Sequence, residues 1–332
     1  MLKVAEVGNS IDKATFKAAV PQLRLELVNA QYDLRNADFP VIIWIAGDDR
    51  IAANEVVNRI NEWMDARFID TRVFADYSQE EADRPALWRL WRALPPKGKT
   101  AVFAGGLMRT ATMRANGEID EESFGSWLRH VRGMQNEMVA EGALVIKFFF
   151  HTPEKLQRKK LKKAEANPAQ GWQVDQRDWA ALDQLGETMP IVERILRETS
   201  APGAPWTIVE ATNARYRDLT VGRTILAALQ ARLAQAPITG PSVAESVFGD
   251  VDGEANVLSG VDLNQSLDKA TYRKELARLQ GRLRKLSIEA RERGVSTVLA
   301  FEGWDAAGKG GVIRRLTAAL EAGDYRIVPV AA

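Results

Sequence analysis

The chain carries one segment twice. Ser10-Ile11-Asp12-Lys13-Ala14-Thr15-Phe16 returns as Ser266-Leu267-Asp268-Lys269-Ala270-Thr271-Tyr272, and in the same ungapped register residues 41–45 fall on residues 297–301. The register holds for about 60 residues, so both segments read as the beginning of one fold unit. The first copy continues to residue 236, whereas the second stops at Ala332. The expected organisation is a full domain over 1–236, a linker over 237–262 and the start of a second domain over 263–332. The offset predicts a complete protein of roughly 490 residues, of which this chain would be the N-terminal part.

Hydrophobic spacing gives the elements. Helices are expected over 12–34, where Pro21 demands a break or an unusual start, and over 267–293, with Leu276, Leu279, Leu283, Leu286 and Ile288 as an apolar stripe. Each helix feeds a short, almost wholly apolar strand, 41–45 and 297–301, of the kind buried on both faces of a parallel sheet. Helices over 55–66 and 311–322 and strands over 71–74 and 326–328 follow. The first copy continues with strands at 100–103, 143–149 and 206–210. Its further helices are expected at 121–141, from Glu154 onward, at 179–198 and at 215–233. This alternation predicts an α/β fold: a P-loop, three-layer parallel sheet with helices on both faces, repeated in tandem with an incomplete second copy. Pro237, Gly240, Pro241, Gly249, Gly253 and Gly260 mark the linker.

Composition narrows the chemistry. The net charge is +1, which gives no global attraction to nucleic acid or to a membrane surface. There is no cysteine, so disulfides and thiolate chemistry are excluded, and two histidines are too few for a histidine-rich metal site. No apolar run approaches the roughly 20 residues of a membrane helix, and the N-terminus lacks a signal core. A cytoplasmic protein with a local anion site is the expectation.

That anion site lies in the second copy. Glu302-Gly303-Trp304-Asp305-Ala306-Ala307-Gly308-Lys309-Gly310-Gly311 matches GxxxxGK directly after an expected strand and before an expected helix. Such a loop turns backbone N–H groups inward at a phosphate. Gly303, Ala306, Ala307, Gly308, Gly310 and Gly311 form the cradle, and Lys309 reaches the outer phosphate oxygens. The usual Ser or Thr after the lysine is replaced by Gly310, which leaves Asp305 as the carboxylate for a magnesium ion. Arg314 and Arg315, one turn into the helix, are placed to reach an extended anion. In the first copy Ala52, Ala53 and Asn54 stand where the second has Gly308, Lys309 and Gly310.

The run 302–311, followed by Val312-Ile313-Arg314-Arg315-Leu316-Thr317, closely resembles the loop signature of the polyphosphate kinase 2 family. The tandem arrangement resembles its two-domain class, the polyphosphate:AMP phosphotransferases. The resemblance implies transfer of a terminal phosphate from inorganic polyphosphate to AMP, giving ADP, with Mg2+ as cofactor and with an oligomeric assembly. It implies that Asp305, Lys309 and Arg314 are catalytic, that Asp305 holds the metal and that Arg315 joins the phosphate-binding set. Phosphoryl transfer requires positioning and charge neutralisation more than a base, and these residue types supply both.

The first copy departs from the family. The Asp-Arg pair expected after a later strand is replaced by Val102-Phe103-Ala104-Gly105-Gly106-Leu107, and Gly171 and Gln173 flank Trp172 where the family's lid is basic. The first copy is therefore expected to be catalytically silent, with Asp49 surviving as a loop cap. The run 155–163 is read as a solvated basic helix face and the tryptophans as packing residues. His151 is read as a cap at a strand end. The alternative function is a non-catalytic phosphate-binding or oligomerisation module, because the second motif and the lid are absent from the second copy.

Overall fold

A computed structural model of the protein describes residues 2–74, 77–85, 87–167, 174–235, 266–303, 307–321 and 323–328. Its strands are β1 (Val41–Gly47), β2 (Ile69–Phe74), β3 (Thr100–Gly105), β4 (Leu144–His151) and β5 (Trp206–Glu210). All neighbours pair in parallel, in the order β2-β3-β1-β4-β5. The expected sheet is present, and alternation along its strands decides which layer each side chain enters. Val41, Ile43 and Ile45 of β1, with Ile146, Phe148 and Phe150 of β4, enter one core. Ile42 and Trp44 enter a second, with Phe103 and Val145, while Ala46 and Phe149 enter a third on the same side of the sheet.

Helices cover both faces. In chain order they are α1 (Lys13–Leu34), α2 (Arg50–Trp63), α3 (Gln79–Ala82), α4 (Trp88–Arg92), α5 (Leu107–Ala115) and α6 (Glu121–Ala140). There follow α7 (Glu154–Glu165), α8 (Gln176–Asp183), α9 (Leu185–Glu198) and α10 (Ala214–Leu233). α1, α2 and α10 supply the first core through Leu23, Leu27, Val56, Ile60 and Leu226. α5, α6 and α9 cover the opposite face through Ala111, Leu128, Met134 and Ile195.

Several expectations are corrected. α1 runs unbroken through Pro21, because Pro21 and Lys17, whose carbonyl loses its donor, both face solvent while Leu23, Leu27 and Leu34 hold the helix on the core. α2 begins at Arg50, not at residue 55. The single helix expected over 179–198 is two, α8 and α9; α3 and α4, of four and five residues, are too short to show a periodicity, and α5 stands where no helix is expected.

The second copy provides α11 (Lys269–Glu292) and α12 (Lys309–Thr317). Its opening repeats the first copy atom for atom: Asp12 accepts from the N–H groups of Ala14 and Thr15, and Asp268 from those of Ala270 and Thr271. The expected strands 297–301 and 326–328 are not strands. Val298 is 90% exposed and Leu299 62%. β1 is held between β3 and β4, and β2 lies against β3. This chain has no second-copy counterpart of β3 or β4, so neither segment finds a pairing partner. The linker over 237–262 lies outside the described residues.

Candidate functional site

The second-copy loop turns into α12 through Gly308, which caps the helix in the left-handed conformation with φ 87°. A Cβ there would meet nothing within 4 Å, so the demand for glycine is conformational rather than steric. Gly310 and Gly311 form the first turn of α12, where the partial positive charge of the helix is concentrated. Lys309 Nζ donates to the carbonyl of Gly303, so the lysine folds back across its own loop. Asp305 and Ala306 lie outside the described residues, whereas Ala307 precedes the Gly308 cap.

The two arginines are held near the helix start. Arg315 Nη1 donates to the Gly311 carbonyl at 2.8 Å, and its Nε to the hydroxyl of Tyr272. Arg314 Nε donates to the Gly310 carbonyl at 3.0 Å, but its Nη1 reaches the Glu62 carbonyl of α2 at 3.1 Å. Gly308, Lys309, Gly310 and Gly311 are thus assembled at one helix end. Arg314 is shared with the first copy.

In the first copy the equivalent space is filled. Asp49 caps α2 by accepting from Ala52 N at 3.0 Å, and starting the helix there consumes the residues that form the loop in the second copy. Gly47 is retained for a different reason: a Cβ would lie 2.7 Å from the Phe150 carbonyl of β4. Asp49 also accepts from Lys160 at 2.9 Å and from Thr152 Oγ1 at 3.3 Å. Asp48 accepts from Thr152 N at 3.0 Å, from Gln157 Nε2 at 2.8 Å and from His151 Nδ1, while His151 Nε2 lies 3.0 Å from Glu6. Burial pushes the Asp48 carboxyl up despite its hydrogen bond with His151. Burial alone would lower the His151 imidazole, but bonds and charge from Asp48 and Glu6 outweigh it and hold the ring above the usual histidine value. Two buried carboxylates occupying this position oppose a phosphate.

His151 is therefore a bridge between carboxylates, not only a strand cap. Lys160 is drawn from the basic run into a structural ion pair. Lys155, Lys159, Lys162 and Lys163 remain exposed on α7. Trp172, Gly171 and Gln173 lie outside the described residues. Sequence reading did not anticipate Arg50, which sits between the copies. It pairs bidentately with Asp178, both contacts at 2.7 Å, and with Glu321 at 2.8 Å. Arg284 joins Glu321 and Asp324, and Tyr325 donates to Asn58 at 3.4 Å, so the second copy packs on α2 of the first. The signal available was an arginine beside two aspartates, Asp48 and Asp49, in the stretch that aligns with Trp304-Asp305-Ala306.

Among the described residues no group of three or more His, Asp or Glu side chains could hold a metal, and no helix is long and apolar enough to cross a membrane. The loop's own oxygen donors are the carboxylates of Glu302 and Asp305, which is the hard-donor chemistry that suits magnesium.

Fold and loop together define a three-layer α/β protein with a glycine-rich, lysine-bearing loop at a helix N-terminus. The chain belongs to the polyphosphate kinase 2 family, whose model matches residues 10–237 and 266–332. It is 42% identical to the polyphosphate:AMP phosphotransferase of Pseudomonas aeruginosa over 100% of its own length and 67% of that protein. It is 36% identical to the enzyme of that name from Pseudomonas syringae pv. tomato, with the same coverage. A solved structure from P. aeruginosa assigned to polyphosphate kinase 2 is 40% identical and superposes with TM-score 0.62, over 100% of this chain and 65% of that one. The polyphosphate kinase 2 structure from Arthrobacter aurescens, 19% identical, shares the fold with TM-score 0.65 over 72% of this chain and 86% of that one. The chain thus spans about two thirds of the length of its close relatives.

Proposed function

We propose that the natural protein moves the terminal phosphate of inorganic polyphosphate to AMP, giving ADP, and that the chemistry resides in the second copy. The observation that carries this is the contrast between the copies: one glycine loop with its lysine at a helix end, against a counterpart filled by Asp48 and Asp49. An oxygen of the AMP phosphate attacks the terminal phosphorus, the P–O bond to the chain breaks, and polyphosphate leaves one unit shorter. Backbone N–H groups of 306–311 hold the transferring phosphate, while Lys309 and Arg314 neutralise the charge on its oxygens. Arg315 contacts the neighbouring phosphates. Asp305 would hold Mg2+, which supplies further charge neutralisation when bound.

The reading extends to a cytoplasmic homo-oligomer with no nucleic-acid partner. A donor panel tests it: AMP with polyphosphate yields ADP, and AMP with ATP in place of polyphosphate does not. ADP formation from ATP alone would reassign the protein to an ordinary nucleotide kinase.

One observation favours a second reading for the 332-residue chain itself. Residues 297–301 lead into the loop without pairing, and the second motif has no second-copy counterpart in this chain. In that form the chain binds phosphate without turnover, or serves oligomerisation. ADP production by the 332-residue chain would rule this out.

A further inference from the structure

α2 is the first-copy counterpart of α12, because the offset of 256 sets residues 50–63 on residues 306–319. The two helices meet and run antiparallel. Arg314 of α12 reaches the last turn of α2, whereas Glu321, just past α12, reaches Arg50 at the start of α2. Asp65 and Glu321 are equivalent in the repeat, and each lies beside an arginine of the other copy. Counterpart helices therefore face each other across the junction.

Arg314 has no first-copy equivalent, since Asn58 stands at that place. Two of its three guanidinium nitrogens are held. Nε donates to the Gly310 carbonyl within α12 at 3.0 Å, and Nη1 to the Glu62 carbonyl of α2 at 3.1 Å. Nη2 has no hydrogen-bond partner among the described residues, and it lies 3.7 Å from where a Cβ on Gly310 would stand, beside the first turn of α12. A guanidinium is a rigid planar fork, so anchoring Nε and Nη1 sets the direction of Nη2.

The anchor on the first copy is itself fixed. Glu62 lies in the last turn of α2, where carbonyls lack intrahelical donors and the negative end of the helix attracts a cation. Its carbonyl also accepts from Arg24 of α1 at 3.2 Å. Gln31 of α1, 2% exposed, clamps the turn beyond, accepting from Asp65 N at 2.7 Å and donating to the Asp65 carbonyl at 3.0 Å. Burial would raise the Asp65 carboxyl, but bonds from Arg67 and the charges of Arg67 and Arg314 outweigh it and hold it low.

We propose that the silent copy positions a phosphate-binding residue of the other: the end of α2, through the Glu62 carbonyl and the Asp65 carboxylate, anchors Arg314 and leaves Nη2 for the transferring phosphate. This rests on the phosphotransfer role given to Arg314 above. Asp65 touches no substrate and is a positioning residue. It acts through Arg314, so its effect on turnover exists only where Arg314 is present.

Steady-state ADP formation by the natural protein, with the phosphate donor that supports it, tests this in a double-mutant cycle of Asp65→Asn with Arg314→Ala. Asparagine keeps an oxygen for the Arg67 N–H and removes the charge. The expected result is a fall in kcat of about three- to tenfold for Asp65→Asn, with KM for the donor not raised, and no such fall in the Arg314→Ala background. A rise in kcat/KM for Asp65→Asn would mean that Asp65 only repels a polyanion, and an equal fall in both backgrounds would mean a general effect on the fold. Either result overturns the positioning role. A fall in Arg314→Ala with Asp65→Asn unchanged overturns the positioning alone, whereas wild-type kinetics in Arg314→Ala overturn it together with the role of Arg314 in phosphotransfer.

Discussion

Lys160 Nζ sits 2.9 Å from Asp49 Oδ2, and Asp49 is the residue that aligns with Asp305 of the second copy. The carboxylate that aligns with the proposed metal-holding residue is thus engaged three times inside the fold, by the Lys160 ammonium, by the Thr152 hydroxyl and as the cap of α2. Its role is structural.

Asp49→Ala is therefore expected to lower stability by about 1–2 kcal/mol, the usual range for a lost cap, with added cost from the unpaired Lys160. Urea unfolding checks this. A midpoint equal to wild type would show that neither contact contributes.

The copies are joined through Arg50, Glu321 and Arg284. Glu321→Ala removes the shared carboxylate and is expected to reduce hydrogen-exchange protection in α12 while leaving β1 and β4 unchanged. A double-mutant cycle of Arg50→Ala with Glu321→Ala should give a coupling of about 0.5–2 kcal/mol. Zero coupling, with unaltered protection, would mean that α12 is held by other contacts.

Lys147 is buried in β4 with only neutral partners, Gln135 Oε1 and the Thr199 carbonyl at 2.7 Å, and lies 4.8 Å from the Trp206 ring. Burial pushes its pKa down to about 7 from the ordinary 10.5. Between these values the unfolded chain holds one proton more than the folded one, so stability rises with pH across that window. Below pH 7 the residue is charged in both states and adds no slope. The rise is expected to reach a few kcal/mol, up to about 4, by pH 10. Lys147→Met should flatten it; an equal slope in that variant would locate the effect elsewhere.

Gly308 takes a left-handed conformation with open space around its Cα. Gly308→Ala is expected to cost about 1–2 kcal/mol in the local loop geometry, and to weaken phosphate binding with little change in global unfolding. Asparagine, which tolerates this region, should recover part of the loss. Equal phosphate affinity in wild type and Gly308→Ala would mean that the bound loop abandons this conformation.

The sheet was legible because parallel strands buried on both faces are written as mainly apolar runs, and 41–45, 100–103, 143–149 and 206–210 are such runs, broken only by Thr100, Lys147, Thr207 and Glu210. The Asp12 and Asp268 caps follow from the repeat. What escaped was set by partners distant in sequence. The run 297–301 has the pattern of β1 but no β3 or β4 to lie between. Leu279 and Leu286 of α11 stay exposed because no counterpart of α10 covers them. Arg50 with Glu321, and His151 with Glu6 and Asp48, meet only after folding, and no local spacing encodes such pairs. Of the candidate site, the loop and its lysine were legible as a motif. The filling of the first-copy loop was legible only as a loss of glycine and lysine, not as the acidic network that replaces them.

Where the chemistry resides is decided by ADP formation from AMP and polyphosphate by the natural protein, compared with its Lys309→Ala and Asp49→Asn variants. The expected outcome is a fall of at least about 10²-fold for Lys309→Ala and a rate close to wild type for Asp49→Asn at a temperature where both variants are folded. Full activity in Lys309→Ala, or an equal collapse in folded Asp49→Asn, would contradict the assignment of the chemistry to the second copy.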